Sequence, residues 1–228
     1  MNDSRSLDWA QIETVFLDMD GTLMDLAFDN YFWREYVPLI YSKNNGMDDN
    51  EAKQFLLGKY QSQQGSLNWY CTDYWSDQLG LNIKQLKQQV SARVSLFPLV
   101  NEFLTWLNDH GKRAVLLTNA HMDSVEIKMN QTGIGDKFDR IITSHSYGYA
   151  KEQDEFWQLL AVDEDYQQEA TLLVDDNISV LQAADRHGIK YLRSVFKPDT
   201  TLPIQDTQGY LAINGFHDIV DDLSGDSL

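Results

Sequence analysis

The sequence lacks the features that staple small secreted proteins or anchor a chain in a membrane. Among its 228 residues the single cysteine, Cys71, excludes an intramolecular disulfide and fits a reducing compartment. No apolar run is long enough to span a bilayer, and the polar N-terminal residues form no signal core. We therefore expect a cytoplasmic protein with no membrane partner.

Positive charge is also scarce, because 18 Lys and Arg residues stand against 35 Asp and Glu residues. The formal net charge of −17 repels the phosphate backbone of DNA and RNA, so polymeric nucleic acid is an unfavourable partner. A small anionic substrate is still allowed, because one metal ion and a few local donors set the field inside a pocket.

Short apolar runs alternate along the chain with amphipathic helical patterns. Such runs are typical of buried parallel strands, and strands that alternate with helices indicate βαβ units. The predicted strands lie at residues 14–17, 113–117, 140–142, 171–174 and 189–192. The pattern predicts an α/β fold with a Rossmann-like core, in which helices flank a mostly parallel sheet.

One segment interrupts this alternation. Residues 25–96 contain helical patterns and no convincing strand, which predicts an all-helical cap domain inserted into a core of residues 1–24 and 97–228. The predicted cap helices lie at residues 28–40, 50–60, 67–78 and 83–94. The tail after Phe196 shows only a short apolar run at residues 209–213.

The strongest chemical signal is Asp18-Met19-Asp20-Gly21-Thr22, directly after the first predicted strand. Ligands of α/β sheets bind at the carboxyl ends of strands, where two carboxylates can share a metal and a phosphate. Asp18 could attack phosphorus, and Asp20 could act as general acid and base if its pKa is raised. A simple polar turn is the alternative interpretation.

Three weaker signals follow other predicted strands. Thr118 and Asn119 could hold phosphate oxygens, although such a pair is often only a turn or a helix cap. Lys151 could neutralise a phosphate, although a lone lysine is usually a surface residue. The adjacent acids Asp175 and Asp176 suit Mg²⁺, or else a helix N-cap.

The order of the four signals, paired acids, threonine, lysine and paired acids, resembles that of the haloacid dehalogenase-like (HAD) superfamily of phosphohydrolases. The resemblance implies a Rossmann-like core with a helical cap after the first motif. It assigns Asp18 as nucleophile, Asp20 as acid/base, and Lys151 as the group that stabilises phosphoryl charge.

The same resemblance implies further roles for the other motif residues. Thr118 and Asn119 would bind the phosphoryl group, and Asp176 would bind Mg²⁺ with the Asp18 carboxylate and the Asp20 carbonyl. Asp175 would act through metal-bound water. Because haloacid dehalogenases proper lack the second acid of the first motif, Asp20 favours phosphoryl transfer over dehalogenation. The motif around Lys151 reads Gly-Tyr-Ala-Lys rather than the commoner Gly-x-Pro-Lys.

Substrate choice is expected to depend on the cap, which is rich in aromatic residues. Aromatic faces can stack a nucleobase, and Phe28, Trp33, Trp69 and Tyr74 are the predicted substrate contacts, although most cap aromatics are expected to be structural. Residues 17–33, 67–76 and 116–121 resemble the bacterial GMP/IMP nucleotidases of the superfamily. This similarity implies that the small phosphorylated partner is a purine 5′-mononucleotide.

Other activities use the same four motifs. A phosphatase of sugar phosphates or phosphoglycolate, and a phosphomutase, are the alternatives in the same class. A catalytically silent scaffold is less favoured, because such a protein should have lost a motif residue and Asp18, Asp20, Lys151 and Asp176 are all present. His121 follows the Thr-Asn motif and is expected to be a surface residue at a helix start.

Overall fold

The fold is a six-stranded parallel sheet with helices on both faces, as seen in a computed structural model that describes residues 7–220. The strand order is β3-β2-β1-β4-β5-β6. The predicted α/β class with a Rossmann-like core is thereby confirmed. The polar N-terminal residues 1–6 and the end of the predicted core at residue 228 lie outside the described residues.

The first strand of the chain occupies the centre of the sheet. Phe16 pairs with Val115 on one side and with Leu173 on the other, both in parallel register. The carboxyl ends of β1, β2 and β4 therefore meet at one edge, next to the point where the strand order reverses. The strands are β1 Thr14–Leu17, β2 Arg113–Thr118, β3 Arg140–Thr143, β4 Thr171–Val174, β5 Tyr191–Val195 and β6 Ala212–Ile213.

Nine α-helices are found in residues 7–220, six of them between β1 and β2. The helices are α1 Ala27–Tyr31, α2 Val37–Asn45, α3 Asp49–Gln61, α4 Thr72–Leu79, α5 Ile83–Gln89, α6 Val100–Asp109, α7 Met122–Thr132, α8 Asp154–Asp163 and α9 Ile178–Arg186. None of the helices in this described part of the chain is long and apolar enough to cross a membrane.

Alternation along the strands divides the apolar core between the two faces of the sheet. Val15 and Leu17 pack into the cluster that includes α6 and α7, whereas Phe16 packs into the cluster beneath α8 and α9. Successive side chains of a strand point to opposite faces, so strands covered on both sides must be apolar throughout. This explains why the strands were recognisable as short unbroken apolar runs.

We call helices α1 to α5 and the turns between them the helical block. The π-helical turn after α1 and helices α2 to α5 share an apolar cluster of their own. Phe32 and Leu56 are fully buried in it, together with the large ring of Trp75. A separate core is what an inserted cap domain is expected to have. The cap bounds at residues 25 and 96 stay a prediction.

Three predicted cap helices differ from the observed elements. The pattern at 83–94 is α-helical only to Gln89, where α5 ends, and a 3₁₀ turn follows at Ser91–Arg93. The pattern at 28–40 becomes α1, a π-helical turn at Phe32–Tyr36, and α2. Pro38 lies in the first turn of α2, and because its ring has no N–H and crowds the carbonyl four residues earlier, the wider turn accommodates it. The pattern at 67–78 is divided at Cys71, whose extended backbone separates a 3₁₀ turn from α4.

The C-terminal part of the core also differs from the prediction. Strand β5 begins at Tyr191, two residues later than expected, because the Ile189 amide still bonds the Ala184 carbonyl of the preceding helix. The short apolar run at 209–213 yields β6, which adds an edge strand beside β5. The segment between them runs back across the carboxyl edge of the sheet.

Neighbouring leucines of α3 provide a test of the helical block's core. Leu56 is fully buried, whereas Leu57 is 45% exposed. Leu56→Ala should lower the free energy of unfolding by about 2–5 kcal/mol through lost burial and a cavity. Leu57→Ala should cost less than about 1 kcal/mol. Urea unfolding of both variants measures the difference, and equal losses would contradict the observed packing.

Candidate active site

The predicted nucleophile lies at the carboxyl end of the central strand. The Asp18 amide donates to the Val174 carbonyl at 3.0 Å, which fixes the backbone between β1 and β4. Its side chain is almost fully buried, and Oδ1 accepts a hydrogen bond from Lys151 Nζ at 2.6 Å. The carboxylate thus has one fixed oxygen and a charged neighbour.

Lys151 lies at the centre of a buried polar group. Its Nζ donates to Asp18 Oδ1, to Asp175 Oδ2 at 2.7 Å and to the Leu117 carbonyl at 2.9 Å. Burial would lower the pKa of Lys151, but the charges of Asp175 and Asp18 outweigh burial and raise it. The lysine is therefore charged, as the prediction of a group that stabilises phosphoryl charge requires.

Three carboxylates converge beside this lysine. Ligand oxygens of Asp18, Asp175 and Asp176 all lie within 4.8 Å of one another. Burial raises the pKa of each, and Lys151 offsets only part of the effect; for Asp18 the value is about 6. A set of hard oxygen donors that repel one another is a set that a divalent cation would stabilise. These residues could therefore hold a metal ion.

The second acid of the first motif belongs to a different charged network. Asp20 Oδ1 accepts from Lys128 Nζ at 2.5 Å, and the same Nζ donates to Asp29 Oδ2. Burial and the charge of Asp29 raise the pKa of Asp20 to about 6, against the opposing effect of Lys128. A raised pKa lets a carboxyl group hold a proton near neutral pH, as general acid catalysis requires.

The network continues into the helical block through a second buried lysine. Lys87 of α5 donates to Asp29 Oδ1 at 2.9 Å and to Ser124 Oγ of α7 at 3.0 Å. Asp29 itself belongs to α1, so four charges join the helical block to the core beside Asp20. Lys128 and Lys87 are 1% and 4% exposed, which is rare for lysine unless paired.

The sequence reasoning missed both lysines, although a signal for each existed. Lys87 follows Ile83 by four residues, and Lys128 follows Val125 by three. Each therefore lies on the apolar face of its helix, where a charged residue needs a buried partner.

The Thr-Asn motif lies at the end of β2, next to Lys151. Thr118 Oγ1 accepts from the Ala120 amide at 3.1 Å, and Asn119 Oδ1 accepts from the Lys151 amide at 2.8 Å. The Asn119 amide group donates to Glu152 at 2.9 Å. The Asn119 side chain thus fixes the loop that carries Lys151, and its contact with phosphate stays a prediction.

Glu152 collects three donors at the edge of the site and was not predicted from the sequence. Besides Asn119, the Tyr70 hydroxyl donates to it at 2.8 Å and Asn177 Nδ2 at 2.9 Å. Tyr70 comes from the helical block, whereas Asn177 follows the acidic pair after β4. The glutamate thereby ties three loops together around the carboxylates.

Gly21 allows the first motif to approach the acidic pair closely. Its φ is +85°, and a Cβ built there would lie 2.5 Å from Asp176 Oδ2 and 3.0 Å from Pro198 Cβ. Thr22 Oγ1, one residue on, accepts from the Asp176 amide at 3.1 Å. Only glycine combines this backbone conformation with this contact.

The C-terminal segment also reaches the site, a contribution that its sequence did not reveal. Gln205 Nε2 donates to the Asp176 carbonyl at 2.9 Å and to the Val195 carbonyl at 2.8 Å. Asp199 accepts from Asn30 of α1 at 2.6 Å. The segment between β5 and β6 thus holds both the acidic loop and the first helix of the block.

A cavity of about 550 Å³ connects the carboxylates to the helical block. Asp18, Asp20, Thr118, Asn119, Lys151, Asp175 and Asp176 all line it, so the structure brings every predicted core site residue to one place. Its lining also includes the aromatic residues Tyr60, Trp69, Tyr70 and Trp33.

Of the four predicted substrate contacts in the cap, only two reach this cavity. Trp33 and Trp69 line it, whereas Phe28 and Tyr74 do not. Phe28 is buried beneath the lysine network, with Lys128 Nζ 5.3 Å from its ring centroid. Tyr74 is half-buried and packs edge-on against Trp75, beside the core of the block. The positions of both side chains are therefore set by packing against other residues and not by contact with the cavity.

Comparison with known proteins agrees with this geometry. The family model of haloacid dehalogenase-like hydrolases matches residues 12–188, from before β1 to beyond α9. The chain belongs to this family. It is accordingly an enzyme, a HAD-family phosphohydrolase, and all four motif regions fall inside the matched range.

Individual relatives extend the similarity over nearly the whole chain. The GMP/IMP nucleotidase YrfG of Escherichia coli strain K12 is 38% identical over 218 residues, which cover 96% of this chain and 98% of the relative. A HAD phosphatase from Thermococcus onnurineus has a similar structure, with a TM-score of 0.74 and 20% identity, covering 95% of this chain and all of that one.

A third relative was crystallised with a metal ion. The putative HAD-hydrolase YfnB of Bacillus subtilis, described as bound to magnesium, matches with a TM-score of 0.64 and 14% identity. The alignment covers 93% of this chain and 99% of that one, and at this identity it shows the shared fold.

Substitution of Gly21 tests its close approach to Asp176. Gly21→Ala should displace Asp176 and abolish most phosphatase activity, because the added Cβ would overlap the carboxylate. Gly46→Ala is the matched control, since Gly46 has φ +61° and nothing within 4 Å of a built Cβ. Gly46→Ala should lose about 1–2 kcal/mol of stability from the left-handed backbone, and Gly21→Ala should lose more because of the added overlap. Phosphate release equal in the two variants would contradict the assignment.

The lowered pKa of Asp29 implies that the stability of the fold depends on pH in a specific way. Burial alone would raise its pKa, but Lys128 and Lys87 lower it from 3.8 to about 2. A folded-state pKa below the unfolded value stabilises the fold above the unfolded pKa, and this contribution is lost as pH falls from about 4 to 2. It amounts to about 2 kcal/mol.

The free energy of unfolding of Asp29→Asn should therefore vary less with pH across this window than that of the wild type. Urea unfolding at several pH values measures both slopes. Parallel curves for the two proteins would show that the Asp29 carboxylate is not held by the lysines.

Proposed function

We propose that the protein is a Mg²⁺-dependent phosphomonoesterase that forms a phospho-aspartate intermediate on Asp18 and acts on purine 5′-mononucleotides. The observation that carries the chemistry is the buried Asp18 carboxylate, which contacts Lys151 and lies within 4.8 Å of Asp175 and Asp176 at the end of a cavity. A nucleophile, a fixed positive charge and a metal-ligand set are thus combined in one pocket.

Two carboxyl groups carry out the reaction, Asp18 as the nucleophile and Asp20 as the general acid and base. Asp18 attacks phosphorus through a carboxylate oxygen while the bond to the ester oxygen breaks, and protonated Asp20 donates its proton to the leaving oxygen. Water then attacks the phospho-aspartate, and Asp20 takes a proton from that water as the bond between phosphorus and Asp18 breaks. Lys151 offsets the negative charge of the transferring group throughout.

Mg²⁺ fits the donor set, which consists of hard carboxylate oxygens. Asp18 and Asp176 would bind it directly with the Asp20 carbonyl. Both Asp175 oxygens already accept hydrogen bonds, Oδ2 from Lys151 and Oδ1 from the Asn177 amide at 2.9 Å, which supports a contact through water. The bound ion would supply positive charge that orients the phosphate and lowers repulsion between it and Asp18.

A purine nucleotide is the favoured substrate on two grounds. The relative with 38% identity over almost the full length is named a GMP/IMP nucleotidase. The cavity of about 550 Å³ is within the range of small-molecule sites, about 300–1,000 Å³, and Trp33 and Trp69 are among the residues that line it. A base could stack there while its phosphate reaches Asp18.

Polar donors of the same cavity suit a 6-oxopurine. Arg34 and Asn30 are among the residues that line it. Arginine pairs with the O6 and N7 acceptors of guanine, which IMP also offers, whereas AMP carries an amino group in place of O6. This chemistry would favour GMP and IMP over AMP. A cytoplasmic location and the lack of nucleic-acid or membrane partners stay predictions from composition.

A panel of phosphate monoesters tests the proposal. Phosphate release should be fastest with GMP and IMP, slower with AMP, and slow with pyrimidine nucleotides, sugar phosphates and phosphoglycolate. Asp18→Asn should keep the fold and lose activity by several orders of magnitude, because an amide cannot form the phospho-enzyme. Excess chelator should stop the wild-type reaction, and added Mg²⁺ should restore it.

The outcomes separate the parts of the proposal. Preference for a small phosphate would keep the mechanism and exclude the nucleotide assignment. Isomerisation of a sugar phosphate without phosphate release would identify a mutase. Substantial activity in Asp18→Asn, with normal circular dichroism, would remove Asp18 from the nucleophile role, and full activity in chelator would refute the metal.

A further inference from the structure

A second cluster of potential metal ligands lies outside the carboxylate site. Ligand atoms of Cys71, His121 and His145 all fall within 4.8 Å of one another. Cys71 precedes α4 of the helical block, His121 caps the start of α7, and His145 follows β3. Three separate segments thus bring together one sulfur and two imidazoles, none of which takes part in the reaction proposed above.

His145 shows why this cluster is more than a surface coincidence. Its Nε2 is buried and has no hydrogen-bond partner among residues 7–220. A buried polar atom without a partner is costly, and it needs an explanation such as an ion or a water. A neutral imidazole nitrogen is a common metal ligand, so a bound ion would give this atom a partner.

The other two side chains are held in place by the chain around them. The Tyr74 amide contacts Cys71 Sγ at 3.4 Å, which orients the sulfur at the start of α4. His121 Nδ1 lies 2.8 Å from the Thr72 hydroxyl, which in turn donates to Asp123 at 3.2 Å. Hydrogen bonds at the second ring nitrogen of a histidine ligand fix its ring orientation in metal sites.

We propose that Cys71, His121 and His145 form a binding site for a thiophilic divalent cation of the Zn²⁺ type. One thiolate and two imidazoles are ligands that Zn²⁺ prefers and that Mg²⁺ does not, so the two sites select different ions. Ligand atoms of tetrahedral zinc lie about 3.3–3.7 Å apart, given metal–ligand distances of about 2.0–2.3 Å. Side-chain shifts of about 1 Å would close the cluster.

A fourth ligand is available beside the cluster. Asp73 Oδ2 lies 3.7 Å from His121 Nε2, and its side chain is 79% exposed and can turn. Water is the alternative occupant of that position. The bound ion would join α4 of the helical block to the loops after β2 and β3, next to Tyr70, which lines the substrate cavity.

Co²⁺ in place of Zn²⁺ gives a direct test. The full-length protein, kept reduced and in excess Mg²⁺, should bind one Co²⁺ with an absorption band from thiolate-to-metal charge transfer. The chain has a single cysteine, so this band can come only from Cys71. Addition of Zn²⁺ should remove the band, because Zn²⁺ occupies the same ligands with higher affinity.

Three variants make the test specific. Cys71→Ser should lose the charge-transfer band, and His145→Gln should weaken Co²⁺ and Zn²⁺ binding by more than about 10–100-fold. His110→Gln changes an exposed histidine stacked on Trp106, and it should bind as the wild type does. The Cys71→Ser variant should have the circular dichroism spectrum of the wild type and, with Mg²⁺ as the only metal, the same rate of phosphate release.

Several results would overturn the proposal. Absence of the band in the folded wild type would exclude a thiolate-ligated ion. A band that survives in His145→Gln with unchanged affinity would exclude His145. Binding that occurs without the band and disappears when Mg²⁺ is raised would place the added ion at the carboxylates instead.

Discussion

The ion pairs of Lys151 are the interaction on which the active site depends. Two buried carboxylates, Asp18 and Asp175, are held by one ammonium group at the ends of adjacent strands. Removing one partner of such a group leaves an uncompensated buried charge, which is strongly destabilising. The lysine also connects β1, β2 and β4, because its third contact is the Leu117 carbonyl.

Charge balance distinguishes the two buried networks of the molecule. Asp18, Asp175 and Asp176 place three carboxylates near a single ammonium, so this group favours an additional cation. Asp20 and Asp29 face Lys87 and Lys128, two acids against two bases, and this group needs none. The first network suits a metal and a phosphate, whereas the second attaches the helical block and holds the Asp20 side chain beside them.

Much of this arrangement was accessible from the sequence because strand order and strand ends follow simple rules. Apolar runs located the strands. The candidate site residues could be chosen because they come after those runs, namely Asp18, Thr118, Lys151 and Asp176. The burial of Lys87 and Lys128 was not predicted, because a lysine on a helix is normally solvated. Phe28 and Tyr74 are not among the residues that line the cavity, since helical spacing does not say which face of a block is its core, and their contact with substrate stays a prediction.

Contributions from distant segments were beyond the reach of local patterns. Gln205 binds backbone carbonyls across the acidic loop, and Glu152 gathers donors from three loops. Neither residue follows a motif or an apolar run, so only the assembled fold reveals them. The split of the pattern at 67–78 similarly depends on the Trp75 indole, which donates to the Trp69 carbonyl at 3.0 Å.

The central place of β1 has a consequence for the order in which the chain can fold during synthesis. Thr14 pairs with Arg113 on one side and with Thr171 on the other. The first strand to be synthesised therefore cannot complete its pairing until β4 has also been synthesised. Pairing over such separations is slow, because the entropy cost of closing a long loop comes before the stabilising contacts between the strands form. The helical block, whose contacts are local, can form first, and a nascent chain that ends before Gln205 still lacks part of its acidic loop's support.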